Sequence, residues 1–362
     1  MAINLATKYS SVIDERFKLK ALTAPAVNQD YDFVGAQSVK IFSVDTAPMN
    51  DYGATGLARY GTPTELGNAL QEITMSQKRS FTFIIDKTNA VDSPAGILDA
   101  AKSLSRQLDE VVIPEIDIYR LGKIASGSAS RGFTVVTTSN AYEMFLAAMA
   151  AQSELKVPIA GRIAFITPTF YKLIKLDATF IKASDLGQKV LLTGQLGEVD
   201  GVPLIMAPAS YMYVGLSLII TNPSATTAPQ KLAEYNIHEN PPGIAGNLVE
   251  GLTYYDAFVL NNKKASISVH FGVLGALTIA MVAGVAGHGT VTPTGRTSGG
   301  TLVYKTAASV TAPALGDDLS SWTAFPAGGD ITATATHKIV VALKGLDDKC
   351  TATSASTTVT VG

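Results

Sequence analysis

The sequence predicts an α+β protein followed by a small all-β domain. Alternating apolar runs typical of strands flank a long stretch with helical periodicity. A second observation is a long segment rich in Gly, Pro, Asn and Thr that separates two of the strands. The third is a change in composition near Gly275 toward Thr, Ser, Ala and Gly. Since 362 residues exceed one ordinary core, two or three domains are expected.

The composition favours a folded, apolar chain without a strong charge. Hydrophobic residues make up 47% of the sequence and charged residues only 16%, with a mean hydropathy of +0.23. These values suggest apolar surface that is buried against other subunits, although a larger core would give the same totals. The net charge of −2 provides no overall positive field to hold nucleic acid.

The single cysteine, Cys350, excludes an intrachain disulfide and favours a buried or inert thiol in a reducing cytoplasm. The N-terminus does not resemble a signal peptide, because charged residues precede any apolar core. The apolar run at 272–287 is rich in glycine and shorter than the ~20 residues that a membrane-spanning helix needs. We therefore expect a strand and a linker there, and no membrane segment.

The chain begins with an expected arm. Leu5, Tyr9, Val12, Ile13 and Phe17 recur at helical spacing, which predicts a short amphipathic helix. The residues around them are polar, so the helix needs a partner surface for its apolar side.

Two strands frame a predicted projection. The alternating runs at 39–44 (VKIFSV) and 81–85 (FTFII) predict strands. The stretch between them is too long for a structureless loop inside a compact domain. An extended two-stranded projection with a loose tip explains its length better.

A long helix is predicted over residues 93–125, with Ser93 as N-cap and Pro94 at its first position. Pro114 should kink or interrupt this helix. Arg106 and Glu110 can pair at i,i+4 on one side. The other side carries an apolar stripe, which consists of Ile97, Ala101, Leu104, Leu108, Val111 and Val112.

A second helix and an α/β region follow. The second helix covers residues 140–155, with Met144 and Met149 as core side chains. The strand at 162–167 (RIAFIT) precedes a short helix at 168–175, which has a proline in its first turn.

The stretch GEVDGVPLIMAP, residues 197–208, places Asp200 and Gly201 between two apolar runs. An acidic residue beside a glycine can be catalytic. However, a two-residue type I′ hairpin also requires such a pair, because both turn positions need a positive φ. The turn explains both residues without chemistry. Pro203 lacks an N–H, which predicts that its strand lies at a sheet edge.

The rest of the chain is rich in predicted strands. Before Gly275 they cover residues 216–221, 232–239, 254–261 and 265–271. Beyond Gly275, alternating runs at 331–344 and 350–362 predict a sandwich-like β domain of roughly 90 residues, large enough to fold alone. Three aromatic residues are expected to fill one small core there, Tyr304, Trp322 and Phe325.

No catalytic, cofactor-binding or metal site is expected. The sequence contains neither a phosphate-binding loop nor a nucleophile elbow. The four histidines are scattered, and His238 and His270 lie on predicted strands, where a structural histidine is the commoner case. A paired-carboxylate site is conceivable on the long helix. A solvated or interhelical charged face explains its acids better, and these are Asp109, Glu110, Glu115 and Asp117.

The order of these parts resembles the major capsid protein of tailed bacteriophages, over about residues 5–272. That family has an arm, an extension loop, a spine helix, an axial domain and strands that return to a peripheral domain. The stretches that carry the resemblance are VIDERF (12–17), SVKIFSV (38–44), RSFTFIID (79–86), EVVIPEIDIYRL (110–121), FITPTFYKLI (165–174), GEVDGVPLIMAP (197–208) and NPPGIAGNLVEGLTYYDAFVLNNKKASISVH (240–270).

The resemblance implies a tailed-phage major capsid fold followed by an immunoglobulin-like module, which would face the exterior. The change in composition near Gly275 and the strand pattern beyond it predict that a chain truncated there still assembles. The implied domains are the N-terminal arm 1–35, the extension loop 36–90, the spine helix with the first part of the peripheral domain 91–137, the axial domain 138–230, the second part of the peripheral domain 231–275, and the C-terminal β-sandwich 276–362.

The implied function is that of a structural subunit, without cofactors, which assembles as hexamers and pentamers into the icosahedral shell around a phage genome. The implied location is the virion capsid, after assembly in the bacterial host cytoplasm. The implied partners are further copies of the chain, a portal, packaged double-stranded DNA without sequence-specific contacts, and in some cases decoration proteins. A separate scaffolding protein is also implied, because the arm motif begins almost at Met1. No membrane is involved.

Subunit contacts are expected on the arm, the projection and the long helix. The candidate residues are Phe17, Met49, Tyr52, Leu57, Arg59, Arg106 and Glu110. Some family members crosslink an extension-loop lysine to a neighbour's asparagine. Here residues 41–77 contain no lysine, and Arg59 is their only cation, so no such crosslink is expected.

Three alternatives remain open from the sequence. A bacterial nanocompartment shell protein would share the fold class, but the extra β module and the long projection argue mildly against it. A cell-surface adhesion protein would explain the Thr-rich C-terminal module, but it lacks a secretion signal. A soluble enzyme would need a site that the sequence does not show.

Overall fold

The computed structural model describes residues 21–28, 30–31, 38–55, 59–92, 99–178, 180, 197–283, 287–334 and 336–359. The predicted arm helix with Phe17, the predicted cap at Ser93 and Pro94, and Leu57 lie outside these residues.

The helices are α1 Lys87–Asp92, α2 Ala100–Gln107, α3 Ile113–Ser126, α4 Ala141–Glu154 and α5 Pro168–Leu176, with a π-helical turn over Leu108–Val112. The strands before the C-terminal part are β1 Ser38–Val44, β2 Asn68–Thr74, β3 Gln77–Asp86, β4 Ser130–Phe133, β5 Ile163–Ile166, β6 Glu198–Val199, β7 Val202–Met206, β8 Leu216–Thr221, β9 Thr226–Thr227, β10 Gln230–Glu239, β11 Gly246–Tyr255, β12 Phe258–Val259 and β13 Ser268–Phe271. The C-terminal strands are β14 Gly275–Ala283, β15 His288–Thr294, β16 Thr301–Ala307, β17 Thr323–Ala324, β18 Asp330–Thr332, β19 Lys338–Lys344, β20 Cys350–Ser354 and β21 Thr357–Thr358. Within the described part of the chain, no helix is both long and apolar enough to span a bilayer.

The predicted projection is an antiparallel hairpin of β1 and β2. Ser38 lies opposite Thr74, and Val44 lies opposite Asn68. Nearly all described residues between these strands are exposed, so the hairpin and its tip extend from the rest of the chain. The structure confirms the two-stranded form that the length of this segment predicts.

The long helix spans α2, the π-helical turn and α3, and its predicted start at Ser93 lies outside the described residues. Asp99 caps it, because its carboxylate accepts a hydrogen bond from the Lys102 N–H at 2.9 Å. The irregularity predicted at Pro114 takes the form of the wider turn just before it, where the Ile113 N–H donates to the Leu108 carbonyl. This turn makes room for a residue that lacks an N–H.

The apolar stripe predicted on this helix is partly wrong. Ala100 is buried whereas Ala101 is exposed, and the Val111 side chain is 43% exposed. A period of 3.6 residues assigns Val111 to the buried side, but the π-helical turn inserts an extra residue and rotates the face that follows. The buried face of α3 is therefore not a continuation of the stripe on α2. It begins at Asp117 and includes Leu121 and Ile124.

The six-stranded sheet has the order β4-β13-β8-β5-β7-β6 and lies between two helical layers. Phe165 of β5 and Ile219 of β8 pack on one face with Leu121 and Ile124 of α3. Their strand neighbours point to the opposite face, where they meet Phe145 of α4 and the α5 side chains. Both faces are buried, which explains the continuous apolar runs of β5 and β8.

The hairpin predicted at Asp200 and Gly201 is confirmed. Both residues have a positive φ, 51° and 75°, and Val199 pairs with Val202 across the turn. The edge position predicted for Pro203 is wrong, because β7 has β5 on one side and β6 on the other. Pro203 is tolerated there because it lies opposite Glu198 at a position where no N–H bonds to β6, and its neighbour Leu204 donates instead to the carbonyl of Gly197, the residue before β6.

The turn yields a mutational prediction. Gly201→Val should destabilise the fold by about 1 kcal/mol or more, because a β-branched residue at this φ is strained even though the space around it is open. Asp200→Asn should be nearly silent, since Asn suits the same turn and its amide oxygen can still accept from the Tyr142 hydroxyl. Chemical denaturation of both variants measures the difference. Loss of function in a folded Asp200→Asn variant would contradict the turn interpretation.

The strands before Gly275 differ from the prediction at three points. The long strand β11 was not predicted, because Gly246 and Gly251 interrupt its alternation. Gly251 is needed there, since a Cβ would lie 2.3 Å from the Phe81 ring. The strand predicted over 254–261 is broken after Tyr255, and β13 starts three residues later than predicted because a 3-10 helix occupies 261–266.

The C-terminal strands form two layers that share β14. Its first residues pair in parallel with β20, and the rest pairs with β15. Side chains from both layers meet in one cluster that includes Leu277, Val291 and Val341. The predicted single aromatic core is wrong. Tyr304 and Phe325 pack against the aliphatic cluster, whereas Trp322 packs in a separate cluster with Cys350. Burial in that cluster raises the pKa of the Cys350 thiol to about 12.

The C-terminal module packs closely against the preceding domain. Val214 belongs to the core of the module, and the Val214 N–H donates to the Ser298 carbonyl at 3.0 Å. The Arg296 guanidinium donates to the Met212 carbonyl at 2.8 Å. A Cβ on Gly299 would lie 2.1 Å from the Tyr213 ring. The two parts therefore share side chains, although the domain boundary near Gly275 stays a prediction.

Candidate assembly surfaces

The projection turns apolar side chains outward. Phe42 on β1 lies directly opposite Leu70 on β2, and these side chains are 66% and 50% exposed. Val44 continues the same face of the hairpin and is also exposed. Cross-strand apolar pairs normally rest on a core. This pair has no such cover within the described chain, so it is a candidate contact on the projection.

The tip of the projection carries Met49 and Tyr52, both of which were predicted as contacts. Met49 is 97% exposed. Tyr52 packs edge to face against Tyr60, with ring centroids 5.1 Å apart. The backbone of Arg59 closes this loop, since its carbonyl accepts from the Gly53 N–H at 2.9 Å. The tip is therefore partly organised by its own side chains and backbone.

The base of the projection is anchored to the three-stranded sheet with the order β10-β11-β3 and to the residues that follow it. Ile73 and Met75 are buried together with Tyr254 of β11. The Gln71 side-chain amide makes two hydrogen bonds to the body. Its NH₂ group donates to the Val259 carbonyl at 3.1 Å, and its oxygen accepts from the Asn261 N–H at 3.0 Å. The hairpin therefore leaves the body from a fixed root.

A buried carboxylate at this root was missed by sequence reasoning. Asp256 is 1% exposed and accepts hydrogen bonds from the backbone N–H and the hydroxyl of Ser76, at 2.7 and 2.9 Å. It also accepts from the Tyr119 hydroxyl at 2.7 Å. Burial raises the pKa of Tyr119, and the bond to Asp256 adds to this effect. Tyr119 therefore remains a neutral donor.

Three of the four acids of the long helix have partners other than a second carboxylate. Glu110 pairs with Arg106 at 3.2 Å, and Glu115 pairs with Arg79 of β3. Arg106 and Glu110 are both predicted as subunit contacts, and in the structure they form an ion pair with each other. Of the two alternatives predicted for this cluster, a solvated or an interhelical charged face, the solvated one is wrong for Asp117. That residue is buried and accepts hydrogen bonds from Leu22 and Thr23, which fixes the chain before the projection onto α3.

The histidines on predicted strands have structural partners. His270 is buried, and its Nε2 lies 2.9 Å from the Thr134 carbonyl, which requires Nε2 to carry the proton. Burial lowers the pKa of His270. His238 lies on the exposed side of its strand, 3.4 Å from Glu250. Among the described residues, no group of His, Cys, Asp and Glu side chains has the arrangement of a metal site.

No family model matches the sequence, and no curated protein matches it. Solved structures do match. A chain from Mycobacterium phage Che8 aligns with a TM-score of 0.62 at 15% identity, covering 74% of this chain and 98% of that chain. A chain from the capsid of the cyanophage P-SCSP1u aligns with a TM-score of 0.60 at 14% identity, covering 75% and 93%.

A third match comes from the acid-stable capsid of the Helicobacter pylori bacteriophage KHP30. Its TM-score is 0.55 at 13% identity, and the alignment covers 75% of this chain and 96% of that chain. The chain has the tailed-phage capsid fold. The alignments cover nearly the whole length of these structures and about three quarters of this chain.

The low identity explains why sequence matching finds no relative while the capsid fold is retained. In the capsid fold, the layers around the six-stranded sheet need only apolar side chains of suitable volume, which many sequences supply. In this chain, the outward face of the projection carries the exposed side chains of Phe42, Val44 and Leu70.

Proposed function

We propose that the chain is a structural subunit of a phage capsid, which assembles from many copies into the shell around the genome. The observation that carries this proposal is the capsid fold, aligned over 98% of the Mycobacterium phage Che8 chain. The exposed face of the projection supports it, because apolar residues on a thin hairpin can be covered only by another surface. Weak contacts of this kind become strong when every subunit makes them several times.

In this proposal, the projection is the extension loop and the long helix is the spine helix, with the domain limits predicted from the sequence. Met49, Tyr52, Leu57 and Arg59 contact a neighbour from the tip. Phe17 contacts one from the arm, and the Arg106–Glu110 pair lies on the spine helix. Subunits form hexamers and pentamers. The module at 276–362 is an exterior immunoglobulin-like domain.

The proposed partners follow from the same role. A separate scaffolding protein and a portal take part in assembly, which takes place in the bacterial host cytoplasm. The packaged DNA makes no sequence-specific contacts, and the net charge of −2 suits a wall that does not trap it. Decoration proteins are further candidate partners. We assign the subunit no catalytic activity, and the nanocompartment, adhesion and enzyme alternatives are not favoured.

Electron microscopy of the purified full chain tests this function. We expect closed shells or shell fragments of phage size, either from the chain alone or after co-expression with a scaffolding protein. Small cargo-filled particles would instead indicate a nanocompartment. Dispersed monomers under all these conditions would contradict a shell function.

We also predict that the shell contains no covalent lysine–asparagine crosslink at the tip of the projection, since Lys40 and Lys78 lie at its base. Residues 41–77 contain no lysine, and the guanidinium of Arg59 stays protonated, so it cannot act as the amine nucleophile. Particles boiled in detergent should therefore run as a monomer near 37.8 kDa. A ladder of multimers with a branched tryptic peptide from this segment would refute the prediction.

A further inference from the structure

The place where the projection joins the body is held by a small hydrogen-bond network around Asp256. Ser76 lies in the two-residue link between β2, which ends at Thr74, and β3, which starts at Gln77. Asp256 follows the last residue of β11, and Tyr119 is on α3. One buried carboxylate thus connects the root of the projection, the three-stranded sheet β10-β11-β3 and the long helix.

Both carboxylate oxygens of Asp256 are engaged by a backbone N–H. Oδ2 accepts from the Ser76 N–H at 2.7 Å, and Oδ1 accepts from the Ala257 N–H at 2.8 Å. The Ser76 hydroxyl adds a second bond to Oδ2, and the Tyr119 hydroxyl adds a second bond to Oδ1. Four donors compensate for burying the charge. An asparagine cannot replace it, because its NH₂ group would face one of the two backbone N–H groups in either orientation.

The network acts where the chain changes direction. Met75, between the two strands, is buried, and its carbonyl accepts from the Tyr254 hydroxyl at 3.2 Å. Apolar burial holds the root in place but is not directional. The bonds from Ser76 and Tyr119 to Asp256 are directional, and they alone in this network tie the link to α3.

We propose that Asp256 is a positioning residue, which fixes the direction of the projection relative to the long helix and thereby the angle at which neighbouring subunits meet. The role in subunit angle rests on the proposed shell function. The role in projection direction concerns the single chain and does not depend on it.

Tyr119→Phe is the most informative variant, because it removes one hydroxyl and keeps the ring that packs edge to face on Tyr255, 5.6 Å away. Tyr235→Phe is its matched control. It removes a hydroxyl that bonds to Thr253 at 3.1 Å, between β10 and β11 and away from the link between β2 and β3. Asp256→Asn is the stronger variant. Tyr119→Phe remains decisive if Asp256→Asn fails to fold.

The direction of the projection can be measured by spin-label distances between Val44→Cys on β1 and Lys102→Cys on α2, both at exposed positions. The native Cys350 is buried and is expected to stay unlabelled. We expect Tyr119→Phe and Asp256→Asn to broaden or shift the distance distribution, whereas Tyr235→Phe keeps that of the parent chain. Thermal unfolding of Tyr119→Phe should match the control, which separates positioning from loss of stability. Parental distributions in both test variants would overturn the proposal.

Shell formation tests the second role. We expect Tyr119→Phe to give shells of mixed diameter or open sheets where the parent gives closed shells. Uniform parental shells from a variant with an altered distance distribution would overturn the role in subunit angle. If the parent chain itself forms no shells under any condition, the proposed function fails, and the distance measurement still judges the role of Asp256 in the single chain.

Discussion

Phe42→Asp is expected to abolish shell formation and to leave the subunit folded. The Phe42 side chain is 66% exposed, so the fold itself loses little when it is replaced. If a neighbour covers this side chain, its burial contributes about 1.5–3 kcal/mol per contact, and aspartate adds the cost of removing a charge from water. Every copy in a shell would lose this contact. Electron microscopy for assembly and circular dichroism for folding are the measurements.

Val282→Asp is the matched control for this variant. Val282 is similarly exposed, at 67%, but lies on β14 of the C-terminal module rather than on the projection. We expect this variant to assemble like the parent chain. Normal shells from Phe42→Asp would show that the outward face of the projection is not a subunit contact.

Gly299→Val should lower the stability of the whole chain by about 2–5 kcal/mol, because strain at a positive φ and overpacking add up. Gly299 has a φ of 85°, and a Cβ would lie 2.1 Å from the Tyr213 ring. Since Val214 also belongs to the core of the module, the two parts should unfold in a single transition. Differential scanning calorimetry would show this transition at a lower temperature. Gly328→Val is the control, because open space surrounds Gly328.

The same contacts change the expectation for a truncated chain. The composition near Gly275 predicts that the residues before it assemble without the module. In the structure, a chain that ends there would expose Val214 and Leu274 and would lose the partner of the Val214 N–H. We therefore expect such a truncation to be less soluble than the full chain. Two separate transitions in the full chain, together with a soluble truncation that forms shells, would restore the original expectation.

Local patterns predicted the elements whose reasons are local. The strand β1, the helix α4 and the Asp200–Gly201 turn follow from alternation, helical periodicity and turn chemistry within a few residues. The strand β11 was missed because Gly251 is explained only by the Phe81 ring that covers it from another strand. The stripe on the long helix was assigned wrongly at Val111 because periodicity assumes a regular turn.

The candidate contact surface was predictable only in part. Met49 and Tyr52 could be found, since apolar residues in a polar, glycine-rich segment suggest a missing partner. Asp256 could not be found. Its partners Ser76 and Tyr119 are 180 and 137 residues away in the sequence, and an aspartate after a strand usually indicates an exposed turn.

The shared side chains between the module and the preceding domain have an evolutionary consequence. A gene could not lose the segment for 276–362 in one step without leaving Tyr213 and Val214 uncovered, so loss should be accompanied by substitution in the loop before β8. Chains of the same fold that naturally end near the position of Gly275 should therefore carry polar or charged residues at these two positions. An alignment of such chains by structure would reveal whether the module was gained together with its docking residues.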